Sequence, residues 1–570
     1  MTSHPQQPAG ISIVLGGEAG QGIQTIEELL TRILKREGYH VHATKEYMSR
    51  VRGGANSTSI RVAATRVQAP LERIDLLLPL DREVLPRLRP RLSEGTIIAG
   101  DSEVLATDLP ILDVPFGRLA KEMGNSLFAN TIALGLILGL LATDRRHMET
   151  LLTERFSGKG EETVAGNLRA AGLGYERGEE LRRSASISLP EIARAEIDDE
   201  IMLNGSEAVA LGAIAGGCRC VTSYPMTPGT GAFTFLARYA RDFELLVEQA
   251  EDEIAAINMA LGAWYAGGRA MVSTSGGGFA LMTEGISLAG MLESPVVVHL
   301  AQRPGPATGL PTRTEQGDLQ LALYAGHGDF PRILLAPETL ADAFSLTAQA
   351  FNLADRYQVP VILLTDQYLV DTYYNTPAFA LEGIEVDDRT VETDDDYRRY
   401  RITADGISPR GIPGRGSGLV CVDSDEHDEA GHITEDLALR VRMVDKRLAK
   451  LHHLDDEIAA PRRTGPAAAA ILVVSWGSVN PIVAEALTLL DRDDVAHLGI
   501  RRPYPLASDL AGQLAAAQRT IIVEGNATAQ LGGLIRRETG HRFDHAILQY
   551  NGLAFTVEQL VREIGARLQG

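Results

Sequence analysis

The stretch from Ser223 to Gln316 constrains this chain more than any other. Ser223-Tyr224-Pro225-Met226-Thr227-Pro228-Gly229-Thr230 and Ser273-Thr274-Ser275-Gly276-Gly277-Gly278 each follow an apolar run, and Val296-Val297-Val298 stands before Pro311-Thr312-Arg313-Thr314-Glu315-Gln316. Apolar runs punctuated by glycine and polar residues are the pattern of a parallel sheet that displays a site at the carboxyl ends of its strands. A further element, Glu251-Asp252-Glu253-Ile254-Ala255-Ala256-Ile257, opens an alanine-rich run with helical spacing. A carboxylate at a helix start is favoured by the helix dipole, so capping alone would account for Glu253.

Length and composition bound what surrounds this stretch. At ~100 to 200 residues per domain, 570 residues imply roughly three to five domains. A hydrophobic content of 45% is enough for real cores. No apolar run reaches the ~18 to 20 residues of a membrane span; Thr131 to Ala142 comes nearest. The first ten residues are polar, with Pro5 and Pro8 and no apolar signal core, so a cytoplasmic chain is expected. A net charge of -21 argues against nucleic acid or an anionic membrane as partner. Cysteines occur only at 218, 220 and 421. Cys218-Arg219-Cys220 is tighter than the usual ligand spacing, and three thiols cannot alone supply the four ligands of an iron-sulfur cluster.

Near the N-terminus, Ile11-Ser12-Ile13-Val14-Leu15 is a buried-strand pattern running into Gly16-Gly17-Glu18-Ala19-Gly20-Gln21-Gly22 and an amphipathic helix. Such a turn can hold a phosphate, but from Gly17 the spacing is Gly-x-x-Gly-x-Gly rather than the Gly-x-Gly-x-x-Gly of a dinucleotide fingerprint. Lys45-Glu46-Tyr47-Met48-Ser49-Arg50-Val51-Arg52-Gly53-Gly54-Ala55-Asn56 follows, then an alternating strand. Asn204-Gly205 opens a capped helix, after which strand and helix alternate to about Tyr374, as in an open parallel sheet. Residues 375 to about 465 are acidic and turn-rich, and Asp423, Asp425, Glu426, His427 and His432 read as a solvated connector rather than a metal cluster. The sheet pattern returns in Ile471 to Gly477 and Arg519 to Asn526.

Together these motifs resemble the 2-oxoacid:ferredoxin oxidoreductases, the thiamine diphosphate enzymes related to pyruvate:ferredoxin oxidoreductase. Tyr-Pro-x-Thr-Pro is a hallmark of their alpha subunits, with Met226, Gly229 and Thr230 departing from the commonest form. The N-terminal Gly-rich turn, Arg52-Gly53-Gly54 and the Gly124 to Gly135 segment resemble the family's gamma domain, fused here ahead of the alpha domain as in the 2-oxoglutarate-type enzymes. The resemblance implies an α/β fold of several open sheets. Residues 1–190 form the gamma-type domain, 191–200 a linker, 201–375 the thiamine diphosphate pyrimidine-binding domain, 376–465 a connector, and 466–570 a transketolase C-terminal-like domain.

It also implies site residues. Thiamine diphosphate needs one buried carboxyl hydrogen-bonded to its aminopyrimidine ring, a role that motif matching gives to Glu253. Tyr224, Pro225 and Thr227 belong to the cofactor loop. Thr227 contacts the substrate oxygens and Arg313 the 2-oxoacid carboxylate, with Arg303 the nearest alternative. For a dicarboxylic substrate, Lys45, Arg50 or Arg52 would meet the distal carboxylate beside a Gly-Gly that allows close backbone approach.

The chain lacks other parts of such an enzyme. No Gly-Asp-Gly occurs, and Gly100-Asp101-Ser102 with Asn125 mimics that magnesium motif only in outline. The resemblance therefore assigns the diphosphate site, Mg2+ and a [4Fe-4S] cluster to a beta subunit, in a dimer of alpha-beta pairs, with coenzyme A as co-substrate and ferredoxin as acceptor. The expected reaction is oxidative decarboxylation of 2-oxoglutarate to succinyl-CoA, or its reverse, which fixes CO2. Alternatives are pyruvate or branched-chain 2-oxoacids, and a non-catalytic nucleotide-binding assembly module. A self-sufficient thiamine enzyme would need Gly-Asp-Gly in its own chain.

Overall fold

A computed structural model describes residues 7–18, 22–48, 54–182 and 197–569. The chain divides into two compact units: Met1–Leu203 with Thr372–Ala378 and Phe555–Gln569, and Asn204–Asp371 with Phe379–Ala554.

The first unit is built on an eight-stranded mixed sheet in the order Leu112–Asp113, Ile97–Gly100, Leu76–Pro79, Ile11–Gly17, Asn56–Ala63, His40–Glu46, Tyr373–Thr376, Ile201–Asn204. Ile11–Gly17 runs parallel to Leu76–Pro79 and antiparallel to Asn56–Ala63. Helix Phe128–Leu141 is apolar on all sides and buried along most of its length, as such a helix must be. It interlocks with helix Glu161–Arg182 through glycines on both partners. A Cβ at Gly135 would lie 2.9 Å from the Ala171 carbonyl carbon, and one at Gly174 2.9 Å from that of Ile132. The backbones meet where any side chain would hold them apart.

Two segments sit differently from the division expected of the sequence. Tyr373–Thr376, expected at the end of the pyrimidine-binding domain, pairs antiparallel with His40–Glu46. There Asn375 accepts a hydrogen bond from the Val41 amide at 2.7 Å, and Tyr374 stacks on His42. The last helix, Val557–Leu568, also belongs to the first unit, where the Val557 amide donates to Pro70 and Glu558 accepts from the Glu72 amide. Strand pairing and caps made across hundreds of residues leave no local signal.

The second unit contains two sheets. The larger has six parallel strands in the order Ile333–Leu335, Pro360–Asp366, Val296–Gln302, Ala270–Thr274, Cys220–Ser223, Leu246–Gln249. Its central strands are buried throughout, which is why they read as continuous apolar runs. The helix after Asn204 starts with a reciprocal capping box, Glu207 amide to Asn204 side chain and Asn204 amide to Glu207 carboxylate, both 2.9 Å. The smaller sheet has the order Arg462–Thr464, Val495–Ile500, Ile471–Trp476, Arg519–Glu524, His545–Leu548, parallel except for its first strand.

Between them in the chain come a short parallel pair (Thr390–Thr393 and Arg410–Gly416) and helix Leu437–Ala449, and in the run expected to be solvated His427 is instead buried against the Tyr400 ring. Glu426, in its acidic run, pairs with Arg440 and Arg447. The helix is anchored by a buried ionic cluster. Lys446 Nζ donates to both oxygens of Glu293 at 2.6 and 2.8 Å, and Lys450 Nζ lies 2.7 Å from the same carboxylate. Lys450 also donates to the Gln358 carbonyl, and Arg399 to that of Glu293. Among the described residues no helix is long and apolar enough to cross a membrane.

Candidate active site

Three adjacent strands of the six-stranded sheet end side by side, and their loops build the site. A buried polar chain fixes the first. Ser223 Oγ accepts from the Ser273 amide at 2.9 Å, and Ser273 Oγ donates to the Gly229 carbonyl at 2.7 Å. Ser273 Oγ also meets His299 Nδ1 at 2.9 Å, whose Nε2 meets Thr365 Oγ1 at 2.8 Å. Burial pushes the His299 imidazole down to about 4, so it is neutral and serves as a spacer in this chain. The loop so pinned carries Tyr224 and Pro225 exposed and Thr227 half-buried, with a cis bond between Thr227 and Pro228.

Glu253 begins helix Glu253–Tyr265 but does not cap it. Asp252 takes that task, its Oδ1 accepting from the Ala255 amide at 2.7 Å. The Glu253 side chain is 3% exposed, and its Oε1 is buried with no hydrogen-bond partner. Burial, reinforced by Asp252, pushes its pKa upward. The glycine turn explains how a carboxyl fits there: a Cβ at Gly278 would lie 2.5 Å from Glu253 Oε1 and 2.8 Å from its Cγ. Met226 Sδ accepts from the Gly278 amide at 3.2 Å, joining the Thr227 loop to the same turn. The neighbouring carboxylates Glu248 and Glu251 are exposed.

The cationic side of the site differs from the sequence expectation in emphasis. Arg303, after strand Val296–Gln302, donates from Nη1 to the Thr227 carbonyl at 2.6 Å. Its Nε is buried without a hydrogen-bond partner, and burial lowers its pKa while Asp318 opposes that. Arg313 is half-buried in a segment sewn to the smaller sheet, with the Thr314 amide donating to the Gly552 carbonyl at 3.2 Å. Gln316 completes the seam: its amide donates to the Gly525 carbonyl at 2.6 Å, its Oε1 accepts from the Gly525 amide at 2.9 Å, and its Nε2 donates to the Trp476 carbonyl at 2.9 Å. Asp318 lies beyond, with Oδ2 buried and lacking a hydrogen-bond partner, as is Ser275 Oγ.

Three orphaned polar atoms, on Glu253, Ser275 and Asp318, thus meet at one glycine-lined turn, and a fourth belongs to Arg303, which is bonded to the Thr227 loop. Orphaned buried atoms are costly, and at a concave site they signal a polar ligand. An unpartnered, proton-favouring carboxyl is what the aminopyrimidine of thiamine diphosphate requires, so the residues present fit that group.

Comparison with known proteins agrees. A family model described as pyruvate flavodoxin/ferredoxin oxidoreductase, thiamine diphosphate-binding, matches residues 211–446, and one described as pyruvate ferredoxin/flavodoxin oxidoreductase matches residues 12–177. The 2-oxoacid:ferredoxin oxidoreductase subunit alpha of Sulfolobus sp is 32% identical over an alignment of 619 positions that covers 96% of each chain. This chain is an alpha subunit of the 2-oxoacid:ferredoxin oxidoreductase family. Another relative of this alpha subunit is the 2-oxoglutarate oxidoreductase subunit KorA of Mycobacterium tuberculosis, 27% identical over 99% of this chain and 92% of that one. Among solved structures, the 2-oxoglutarate:ferredoxin oxidoreductase of Magnetococcus marinus, determined with 2-oxoglutarate, coenzyme A and succinyl-CoA bound, superposes with a TM-score of 0.93. It is 30% identical, over 99% of this chain and 100% of that one.

Lys45 pairs with buried Glu27 at 3.2 Å in the first unit, while Arg50 and Arg52 lie outside the described residues. Asp101 caps helix Ser102–Leu105, accepting from the Glu103 and Val104 amides, a structural role for the outline magnesium motif. Cys218 is buried, its thiol pushed up to about 12 by desolvation. Sequence reasoning passed over Asp318 and Ser275 and ranked Arg303 second, because a lone charge or hydroxyl carries no motif until folding buries it.

Proposed function

We propose that this alpha subunit, with a beta subunit, catalyses the oxidative decarboxylation of 2-oxoglutarate to succinyl-CoA and CO2 with ferredoxin as electron acceptor. The observation that carries the reading is the sheltered, unpartnered carboxyl of Glu253 facing Gly278 beside the Thr227 loop. Bound there, thiamine diphosphate would supply the nucleophilic carbon and the electron sink that decarboxylation of a 2-oxoacid requires. Glu253 holds a proton at its carboxyl and offers it to the aminopyrimidine ring; burial and Asp252 favour that protonated form. Tyr224 and Pro225 shape the cofactor loop. Thr227 orients the keto oxygen, and Arg303 and Arg313 receive the adjoining carboxylate, Arg303 being the one bonded to the Thr227 loop.

The beta subunit supplies the diphosphate site, Mg2+ and a [4Fe-4S] cluster, since this chain has no Gly-Asp-Gly and three cysteines. Alpha-beta pairs dimerise, and the assembly works in the cytoplasm. Lys45, Arg50 or Arg52 meets the distal carboxylate of the substrate. The preference for 2-oxoglutarate draws support from the solved enzyme and the KorA relative. A second reading, activity on pyruvate or branched-chain 2-oxoacids, draws support from the Sulfolobus relative, which is more identical than KorA and bears the broader name.

The test is the anaerobic activity of this chain copurified with its beta partner, using coenzyme A and a viologen acceptor. We expect faster turnover of 2-oxoglutarate than of pyruvate, and larger KM increases for 2-oxoglutarate in K45A, R50A and R52A. Equal effects on both substrates would discard the distal clamp, and inactivity with every 2-oxoacid would discard the enzyme reading.

A further inference from the structure

Asp318 has no task in the mechanism above, yet it is built into the site. Its amide donates to Gln302 Oε1 at 3.0 Å, which fixes it at the end of the strand that carries Arg303. Its side chain makes no capping bond to the short helix it precedes, Leu319–Tyr324. Instead the carboxyl lies over the glycine turn: a Cβ at Gly276 would fall 2.5 Å from both of its oxygens. Gly276 thus makes room for Asp318 as Gly278 makes room for Glu253, two positions along the same turn.

The charges that act on Asp318 are two. Glu315, on its own segment and itself pushed up by burial, disfavours ionisation; Arg303 favours it. The glycine turn adds only Ser275 and glycines, and the start of helix Gln530–Thr539 adds neutral Gln530, whose side-chain Nε2 donates to the Gly317 carbonyl at 2.7 Å. Neither Asp318 Oδ2 nor Arg303 Nε has a hydrogen-bond partner. A half-buried acid and a half-buried base, each with one enclosed atom left unsatisfied and near enough to feel the other's charge, are an arrangement waiting for a third group.

We propose that Asp318 gates carboxylate binding at Arg303: neutral, it leaves the guanidinium to the carboxylate of the 2-oxoacid, and ionised, it competes with that carboxylate as counter-ion. The proposal rests on the reading of Arg303 as a receptor for the substrate carboxylate. Burial, helped by Glu315, pushes the Asp318 carboxyl up to about 7, which sets the switch within the working range of pH. The sign follows from linkage. An anionic substrate prefers the protonated form, so binding takes up a proton above the Asp318 pKa, and affinity falls by as much as tenfold per pH unit there.

The experiment uses the alpha-beta complex with 2-oxoglutarate as probe. KM and the calorimetric dissociation constant are measured from pH 6 to 8.5 for wild type, D318N, E315Q and R303K. We expect wild-type KM to climb above pH 7, D318N to remove the climb with KM well below wild type at pH 8.5, and E315Q to shift the climb to lower pH. Binding to wild type at pH 8, in buffers of different ionisation enthalpy, should take up close to one proton. An unchanged slope in D318N overturns the gate. The same holds if wild type takes up no proton, a measurement that needs no variant to fold. If R303K binds substrate like wild type at every pH, the reading of Arg303 fails and the gate with it, whereas weakened binding in R303K beside an unchanged D318N slope removes the gate alone.

Discussion

Glu293 and Glu253 are both sheltered carboxyls in the second unit, 1% and 3% exposed, and their surroundings are opposites. Glu293 is closed: two ammonium groups and the hydrogen bonds around them account for both oxygens. Burial alone would raise its pKa, but Lys450, Lys446 and Arg399 outweigh burial and hold it well below the usual carboxylate range. Glu253 is open, with one oxygen unpartnered, and Ser275 in the glycine turn, Asp318 over it and Arg303 bonded to the Thr227 loop each carry another orphaned atom. A closed cluster fastens one part of the chain to another. An open one leaves polar atoms unsatisfied, which is the difference expected between scaffold and a ligand site.

The largest expected effect breaks the comparison at its open end. E253Q should lower turnover by about 10² to 10⁴-fold, the usual worth of a positioned acid or base. It should leave the melting temperature of the complex nearly unchanged; a large drop in stability with modest loss of activity would return Glu253 to the scaffold. At the closed end, E293A should leave two ammonium groups unpaired and cost about 3 to 5 kcal/mol of stability in denaturant unfolding. Activity per folded molecule should hold.

G278A is a finer probe, because it adds only a methyl group against the Glu253 carboxyl. Displacing that carboxyl should cost roughly tenfold to a hundredfold in turnover, since small misplacements near a reacting group are expensive. Activity equal to wild type would mean that the turn and the carboxyl are not matched.

The smallest effects are in the pH dependence of stability, and here the two clusters carry opposite signs. Glu293, depressed, contributes stability that is fully present above the unfolded value of about 4.3 and is lost as pH falls below it. Asp318, raised to about 7 from 3.8, contributes stability that is present at low pH and is lost as pH rises across that window. Unfolding curves from pH 3 to 8 should therefore flatten at the acid end in E293Q and between about 4 and 7 in D318N. The same slope change in both variants would erase the distinction.

Much of this architecture was legible in the sequence. The apolar runs ahead of Tyr224, Ser275 and Arg303 are buried parallel strands, and Asn204-Gly205 is a capped start, because periodicity and capping are local. Glu253 was singled out by its motif, and the structure adds that Asp252 has taken the capping task that would otherwise explain it. What was not legible depends on distance along the chain. Lys446 and Glu293 are 153 residues apart, Tyr373–Thr376 joins a sheet whose other strands lie far upstream, and Asp318 becomes an acid of interest only once burial has stripped it of water. Sequence patterning records which face of an element is apolar, but it does not record which charges will be left facing one another.

The seam at Gln316 has a consequence for motion. One side chain and its own amide hold backbone groups at the ends of two different strands in the smaller sheet, Trp476 and Gly525, while the flanking residues carry Arg313 and Asp318. The segment from Arg313 to Asp318 is therefore a rivet between two sheets rather than a lid. It cannot swing aside to admit a ligand without shearing three hydrogen bonds at once, so the amide hydrogens of Gln316 and Gly525 should exchange with solvent together, at the pace of the whole unit's opening rather than that of a loop.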